Sequence, residues 1–320
     1  MATLLVIGGT GFFGKSILDC FQRGMLNPWS IDHVIVMARN AERLKDEAPS
    51  LLSQQVELLS ADIAKTDYLP QADFVIHAAA SSDARDYLKS PLKERQNILA
   101  GVLNYCKLAR IFHQKSKILY VSSGAVYGTQ PPELALISED YQFLDPDDIP
   151  RGKRDYACAK RDAEQSFIEL GESGLNVSVA RCFAFVGPWL PLDQHFAIGN
   201  FIADGLAGRN INVKANHRVY RSYMHSDDLV EWLMAIANAS NSKCPVWNVG
   251  SEEGILIEAL AHIVALYCGV GSTQFSYLED KTDRYVPSTE SVQRDLGVVI
   301  KLNLSSAIAK TIESIKRSRQ

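Results

Sequence analysis

The chain has 320 residues, 47% of them hydrophobic and 22% charged, which excludes a disordered or collagen-like protein. At roughly 150 residues per domain, the length implies one large domain or two smaller ones. Lys and Arg number 33 against 37 Asp and Glu, a formal charge of −4. Without a basic run, nucleic acid and anionic membranes are poor partners.

The first apolar run, Leu4–Ile7, stops at glycines, and residues 12–23 follow as a helix closed by Gly24 and Pro28. Further β-branched runs are Val34–Met37, Val56–Leu59, Phe74–Ile76, Ile118–Val121 and Val177–Ala180. Helical stretches near 91–113 and 155–170 fall between the later ones. Runs apolar on both faces, alternating with helices, predict a parallel sheet covered on both sides. The segment 129–154 is rich in Pro, Asp and Glu and reads as a long functional or mobile loop. Beyond residue 185 the pattern loosens. Helices are expected near 195–207, 227–239, 256–267 and 303–317, with short strands at Ile211–Val213 and Trp247–Val249. These form a smaller lobe, partly interleaved with the first. The expected fold is a Rossmann-type doubly wound α/β domain (1–184) with a smaller C-terminal substrate lobe (185–320).

The six cysteines are scattered singly, with no CxxC pair. No metal site is expected, and a reducing cytoplasm is. No run approaches the roughly 18 apolar residues of a membrane span.

Gly8-Gly9-Thr10-Gly11-Phe12-Phe13-Gly14 lies between the first strand and the first helix. A dinucleotide pyrophosphate needs close backbone approach and free N–H groups at a helix N-terminus, and glycines at this spacing supply both. The second strand ends Met37-Ala38-Arg39-Asn40. No acid stands there to accept from a ribose 2′-OH, whereas Arg39 could pair with a 2′-phosphate. The cofactor reading leans to NADP over NAD. Asp62, after the third strand, could hold the adenine amino group or be a solvated turn residue.

Tyr156-Ala157-Cys158-Ala159-Lys160 places phenol and ammonium on one helix face, about 6 Å apart at Cβ. The ammonium and an oxidised nicotinamide both favour phenolate, so the Tyr156 pKa is expected below its reference of about 10. Ser122-Ser123-Gly124-Ala125-Val126-Tyr127-Gly128 ends the fifth strand at its carboxyl edge, where ligands bind in open parallel sheets.

With these motifs in order, the chain resembles the extended short-chain dehydrogenases/reductases of the nucleotide-sugar epimerase/dehydratase type. His77-Ala78-Ala79-Ala80, Arg181–Pro188 and Arg221–Asp228 extend the resemblance over nearly the whole chain. It implies a catalytic trio of Ser123, Tyr156 and Lys160, with Asn97 in support. The expected cofactor contacts are Gly8, Thr10, Gly11, Phe12, Phe13, Gly14, Arg39, Asp62, Ile63, Ala78 and Ala79, with Tyr156 and Lys160. Implied substrate contacts are Ser81, Ser123, Asn200, Arg221 and Arg284, the two arginines toward a diphosphate. It further implies a homodimer through the segments near 91–113 and 155–170.

There are departures. The family's 4,6-dehydratases resemble T-D-E-V-Y-G, where this chain has Ser123-Gly124-Ala125-Val126-Tyr127-Gly128. Gly124 and Ala125 cannot transfer protons, so dehydration is disfavoured. Ser222 stands where an Asp is usual. Asp227 and Asp228 read as first-turn acids after a Ser226 N-cap, and His225 as a packed histidine. Trp189, Phe196 and Phe201 could wall a pocket or pack the core. The expected activity is hydride transfer at a nucleotide-linked sugar, foremost reduction of a 4-keto sugar. The alternatives are 4-epimerisation and an inactive, cofactor-sensing protein.

Overall fold

The computed structural model describes residues 1–80, 90–192, 194, 196–273 and 277–318. Among these, seven strands make one parallel sheet. They are β1 (Ala2–Ile7), β2 (Ile31–Ala38), β3 (Val56–Ser60), β4 (Phe74–His77), β5 (Lys117–Ser123), β6 (Asn176–Cys182) and β10 (Val246–Val249). Their spatial order is β10-β6-β5-β4-β1-β2-β3. The order reverses between β1 and β4, and that switch point is where open α/β sheets bind ligands. Leu4, Leu5, Val6 and Ile7 are all essentially inaccessible, because both faces of β1 are covered.

Helices α1 (Phe12–Gln22) and α6 (Ser226–Asn238) bring Ile17, Leu18, Leu229, Trp232 and Leu233 to one face. Helices α3 (Pro91–Phe112) and α4 (Arg151–Glu172) bring Val102, Tyr105, Ala163 and Phe167 to the other. A single helical turn, α2 (Leu44–Glu47), precedes them. The smaller lobe has its own core, in which α5 (Ala197–Leu206), α7 (Ile257–Cys268) and α9 (Leu304–Ser318) join Ile198, Phe201, Leu260, Val264 and Ile308. Its sheet has the order β11-β8-β12, made of Ile255–Leu256, Arg218–Arg221 and Thr282–Tyr285. A two-stranded pair, β7 (Phe185–Val186) with β9 (Met224–His225), and helix α8 (Glu290–Leu296) complete the elements. Among the described residues, no helix is long and apolar enough to cross a membrane.

Four expectations need correction. Trp247–Val249 belongs to the main sheet, pairing in parallel with Val179–Cys182 of β6. Ile211–Val213 is no strand, since Ile211 alone makes one bridge to Ser272. Helix α4 starts at Arg151, so the loop ends a turn earlier than expected. The cap of α6 is His225, not Ser226; its Nδ1 accepts from the Asp227 amide at 3.0 Å.

The long loop before α4 is a strap. Ile137 is buried, and its amide donates to the Val286 carbonyl (3.0 Å) while its carbonyl accepts from Ser288 (2.8 Å). Gln130 accepts from the Val286 amide. Asp227 makes a second tie: it takes Arg23, the C-cap of α1, at 2.5 Å and Lys310 of α9 at 2.6 Å. Burial alone would raise its pKa, but those two cations hold it at about 2.

Candidate active site

A cavity of about 2080 Å³ opens between the lobes at the sheet's switch point. Ligand pockets usually span about 300–1,000 Å³, so this one has room for two ligands. One end is the glycine loop. Gly8 has φ +87, and a Cβ there would lie 2.7 Å from the Ala79 backbone. A Cβ on Gly14 would meet the Gly9 carbonyl at 2.1 Å. Both positions need glycine to let strand, helix and the β4 loop close up. Gly11, the N-cap of α1, meets only its own loop at 3.6 Å. No side chain caps this helix and no acid sits in its first turn. Its open amides and dipole therefore suit an anion, and the cradle fits a dinucleotide pyrophosphate.

The adenosine end is basic. Lys15, Arg39 and Arg43 line the cavity there, as do Asp62 and Ile63. Lys15 pairs with Glu47 at 2.7 Å, and Arg43 reaches the Thr10 carbonyl at 3.1 Å. Arg39 is exposed. One Asp62 oxygen accepts from the Ala64 amide at 3.1 Å, forming a turn at the cavity wall.

In the middle, β5 delivers Ser123 and α4 delivers Tyr156 and Lys160. Ser123 Oγ accepts from the Ala125 amide at 3.2 Å, and Ser123 lines the cavity together with Tyr156. Lys160 is buried and donates to the Val121 carbonyl at 2.9 Å. Its ammonium lies 5.9 Å from the Tyr156 ring centre. Burial works against the lowering of the Tyr156 pKa expected from Lys160 and an oxidised nicotinamide. Burial pushes it up to about 12, outweighing the Ser123 hydrogen bond. Burial also brings Lys160 down to about 8. Desolvation disfavours the charged form of both groups, and it dominates here.

A buried polar network backs this centre. Ser122 donates to Glu164 at 2.5 Å, and Glu164 holds Arg181 at 2.9 Å. Arg181 donates to Tyr127 Oη (2.9 Å), which donates to Asn248 on β10 (2.8 Å). Glu164 follows Lys160 by one helical turn, so the network anchors both β5 and α4.

The far end is built by the smaller lobe. Arg221 Nη2 binds Asp283 at 2.9 Å. The Arg284 guanidinium lies 4.1 Å over the Tyr220 ring, and its Nε has no partner among the described residues. Asn200, Trp189, Phe196 and Phe201 also line the cavity; Phe201 packs the lobe core as well.

The cavity thus gathers Gly8, Thr10, Gly11, Phe12, Phe13, Arg39, Asp62, Ile63, Ala78, Ala79, Ser123, Tyr156, Lys160, Asn200, Arg221 and Arg284. Gly14 sits behind the loop. Asn97 lines the cavity but is exposed, and it hydrogen-bonds Glu94 at 3.3 Å. Ser81 lies outside the described residues. Sequence reasoning missed Arg43, Phe183 and Tyr285. Phe183 covers Gly124: a Cβ there would lie 2.6 Å from the ring. Tyr285 Oη stands 3.5 Å from Ser123 Oγ. Its signal was its place next to Arg284, on a strand too polar to read.

A profile of the NAD dependent epimerase/dehydratase family matches residues 4–250. The chain belongs to that family. Membership makes it an NAD(P)-dependent enzyme of the nucleotide-sugar epimerase/dehydratase type. Among family relatives, the UDP-glucuronic acid decarboxylase 1 of Xenopus tropicalis is 27% identical over 98% of this chain and 72% of its own length. The Danio rerio protein of the same name has the same identity and coverage. The family fold is matched by the UDP-glucose 4-epimerase of Thermotoga maritima, at TM-score 0.80 and 18% identity over 99% of this chain and 100% of that one. It is matched too by the dTDP-glucose 4,6-dehydratase of Streptomyces venezuelae, solved with NAD bound, at TM-score 0.82 and 19% identity over 99% and 98%.

Proposed function

We propose that the protein is a nucleotide-sugar oxidoreductase that reduces a 4-keto sugar. The carrying observation is that Ser123, Tyr156 and buried Lys160 meet at the centre of a cavity with a pyrophosphate cradle at one end and two arginines at the other. When bound, the nicotinamide cofactor supplies hydride to the sugar carbon. Ser123 orients the carbonyl oxygen. Tyr156, kept protonated by burial, delivers a proton to it. Lys160, fixed by the Val121 carbonyl, keeps a positive charge beside the phenol. Arg221 and Arg284 pair with the substrate diphosphate. Gly124 and Ala125 offer no proton, and Phe183 fills the space over Gly124. The decarboxylase relatives support UDP as the nucleotide.

The test is direct. Given NADPH and a UDP- or dTDP-linked 4-keto-6-deoxy sugar, the protein should oxidise the cofactor. UDP-glucose should yield no 4-keto-6-deoxy product; its appearance would refute the reading of positions 124 and 125. Conversion of UDP-glucose to UDP-galactose on a retained NAD would favour 4-epimerisation, which needs the same three residues. An inactive, cofactor-sensing protein is the less economical reading, because it would not need Ser123, Tyr156 and a buried Lys160 gathered in the cavity.

We take NADP as the preferred cofactor. Lys15, Arg39 and Arg43 line the adenosine end, where Glu47 pairs with Lys15 and Arg43 and Asp62 is the one carboxylate on the cavity wall among the described residues. Arg39→Ala should weaken NADPH about 10- to 100-fold and leave NADH nearly unchanged, since a charge-assisted bond is lost only with the 2′-phosphate. Equal wild-type affinity for the two cofactors would overturn this assignment. A homodimer is also proposed: Leu92, Leu103 and Ile111 of α3 are 67%, 59% and 62% exposed, an apolar face suited to a twofold contact. Light scattering at micromolar concentration should give twice the chain mass; the monomer mass would exclude it. A cytoplasmic location fits the six free cysteines.

A further inference from the structure

Arg221 reaches the cavity already held by a carboxylate. Its neighbour in the chain, Ser222, is buried and carries no charge, so the acid comes from the next strand. β8 and β12 pair in parallel, with Arg221 beside Tyr285. Asp283 lies two residues before Tyr285 and so projects from the same face of β12. Arg221 Nη2 donates to the Asp283 carboxylate at 2.9 Å, and Nη1 donates to the Tyr220 and Asp283 carbonyls at 2.8 and 3.4 Å. Both side chains line the cavity and keep about a quarter of their surface exposed, 23% and 24%.

A guanidinium carries five N–H groups in one plane. In Arg221 three of them are engaged, all along the edge formed by Nη1 and Nη2. The Nε–H and the second Nη2–H remain. They point in parallel from the adjoining edge, and neither has a partner among the described residues. Two parallel donors match two oxygens of one phosphate group. Asp283 therefore grips one edge of the guanidinium and leaves the phosphate-binding edge open.

The grip does not turn the wall negative. Burial would raise the Asp283 pKa, but Arg221, then Lys153 and His217, hold the carboxyl below the usual carboxylate range. Lys153 stands in the first turn of α4, and both it and Arg284 line the cavity. Arg221, Arg284 and Lys153 against Asp283 leave two positive charges among these four groups, which matches the charge of a diphosphate diester.

We propose that Asp283 is a positioning residue for substrate binding: it clamps Arg221 by one edge, so that the other edge meets the diphosphate as a preformed fork. The proposal rests on the nucleotide-sugar reading above, in which Arg221 binds that diphosphate. Its gain is preorganisation, since a guanidinium on a free side chain would have to be ordered at the moment of binding.

The experiment is calorimetric titration of wild type, Asp283→Asn and Asp283→Ala with UDP and dTDP, with melting temperatures as the check on folding. Asn keeps an acceptor for Nη2 without the charge, whereas Ala keeps neither. Ala should bind the preferred nucleotide about 10-fold more weakly, the order of one charge-assisted hydrogen bond, and Asn should stay within about 3-fold of wild type. In an Arg221→Lys background, Asp283→Ala should cause no further loss, because an ammonium has no edge to align. A purely structural role would lower affinity there as well. Tighter binding by both Asp283 variants would show that the carboxylate competes with the ligand for Arg221, and would overturn the proposal. Equal losses for Asn and Ala, or an Ala variant with wild-type affinity, would overturn it too. A wild type that bound neither nucleotide would defeat the nucleotide-sugar reading itself, and this proposal with it.

Discussion

Replacing Tyr156 with phenylalanine is expected to lower kcat by about 10²–10⁴-fold, the usual contribution of a general acid. The ring stays, so folding and cofactor affinity should change little; the glycine loop and Lys160 remain to hold the nucleotide. The pH dependence follows from burial. Tyr156, pushed up to about 12, is protonated throughout the neutral range and is ready to give a proton. Lys160, brought down to about 8, loses its charge first as pH rises. Reductive turnover should therefore be flat near neutrality and decline above about pH 8, as the ammonium beside the phenol disappears. A Phe variant with near-normal turnover on a verified substrate would remove Tyr156 from the mechanism. A profile that declined only near pH 12 would take Lys160 out of it.

Glu164→Ala should be the costliest single change to stability outside the apolar core, at about 3–5 kcal/mol, because it strands a buried cation. Glu164 is 3% exposed and Arg181 8%, so water cannot replace the lost carboxylate. The substitution also removes the acceptor of Ser122, next to Ser123. Paired replacement, Glu164→Leu with Arg181→Met, should cost much less than Glu164→Ala alone, since no charge is left unpaired. Urea unfolding of the three proteins measures this. A loss under about 0.5 kcal/mol for Glu164→Ala would mean that the pair contributes nothing.

Most of the main sheet was legible because its strands are buried on both faces. Leu4–Ile7, Val34–Met37 and Ile118–Val121 are continuous apolar runs, and only a covered parallel sheet asks for those. The glycine loop, Ser123 and the Tyr156–Lys160 pair were legible because their chemistry is local, each set within a few residues. The strands of the smaller lobe were not. Arg218–Arg221 and Thr282–Tyr285 are polar and only half-buried, so neither apolar alternation nor a continuous run marks them. Ile211 and Val213 imitate the alternation, yet Ile211 is the buried one of the two. Trp247–Val249 was recognised as a strand but placed by its position in the chain, while pairing is decided in space. Tyr285 escaped for the same reason: its partner Ser123 is 162 positions away. The Tyr156 expectation weighed the charges of Lys160 and an oxidised nicotinamide, whereas burial within the protein acts the other way.

The seventh strand has a consequence for how the protein is made. β10 closes the sheet against β6, and α6 covers the face that β4, β5 and β6 would otherwise leave bare. Both lie beyond the first segment of the smaller lobe. A ribosome releasing this chain from the N-terminus exposes β6 as an unpaired edge, and an apolar face with it, until residue 249 has emerged. Such edges recruit other chains. A fragment ending near residue 184 should therefore be insoluble on its own, while one extending past Val249 recovers both missing pieces. The cofactor-binding half is not a detachable module, and any attempt to graft it elsewhere must carry the return strand along.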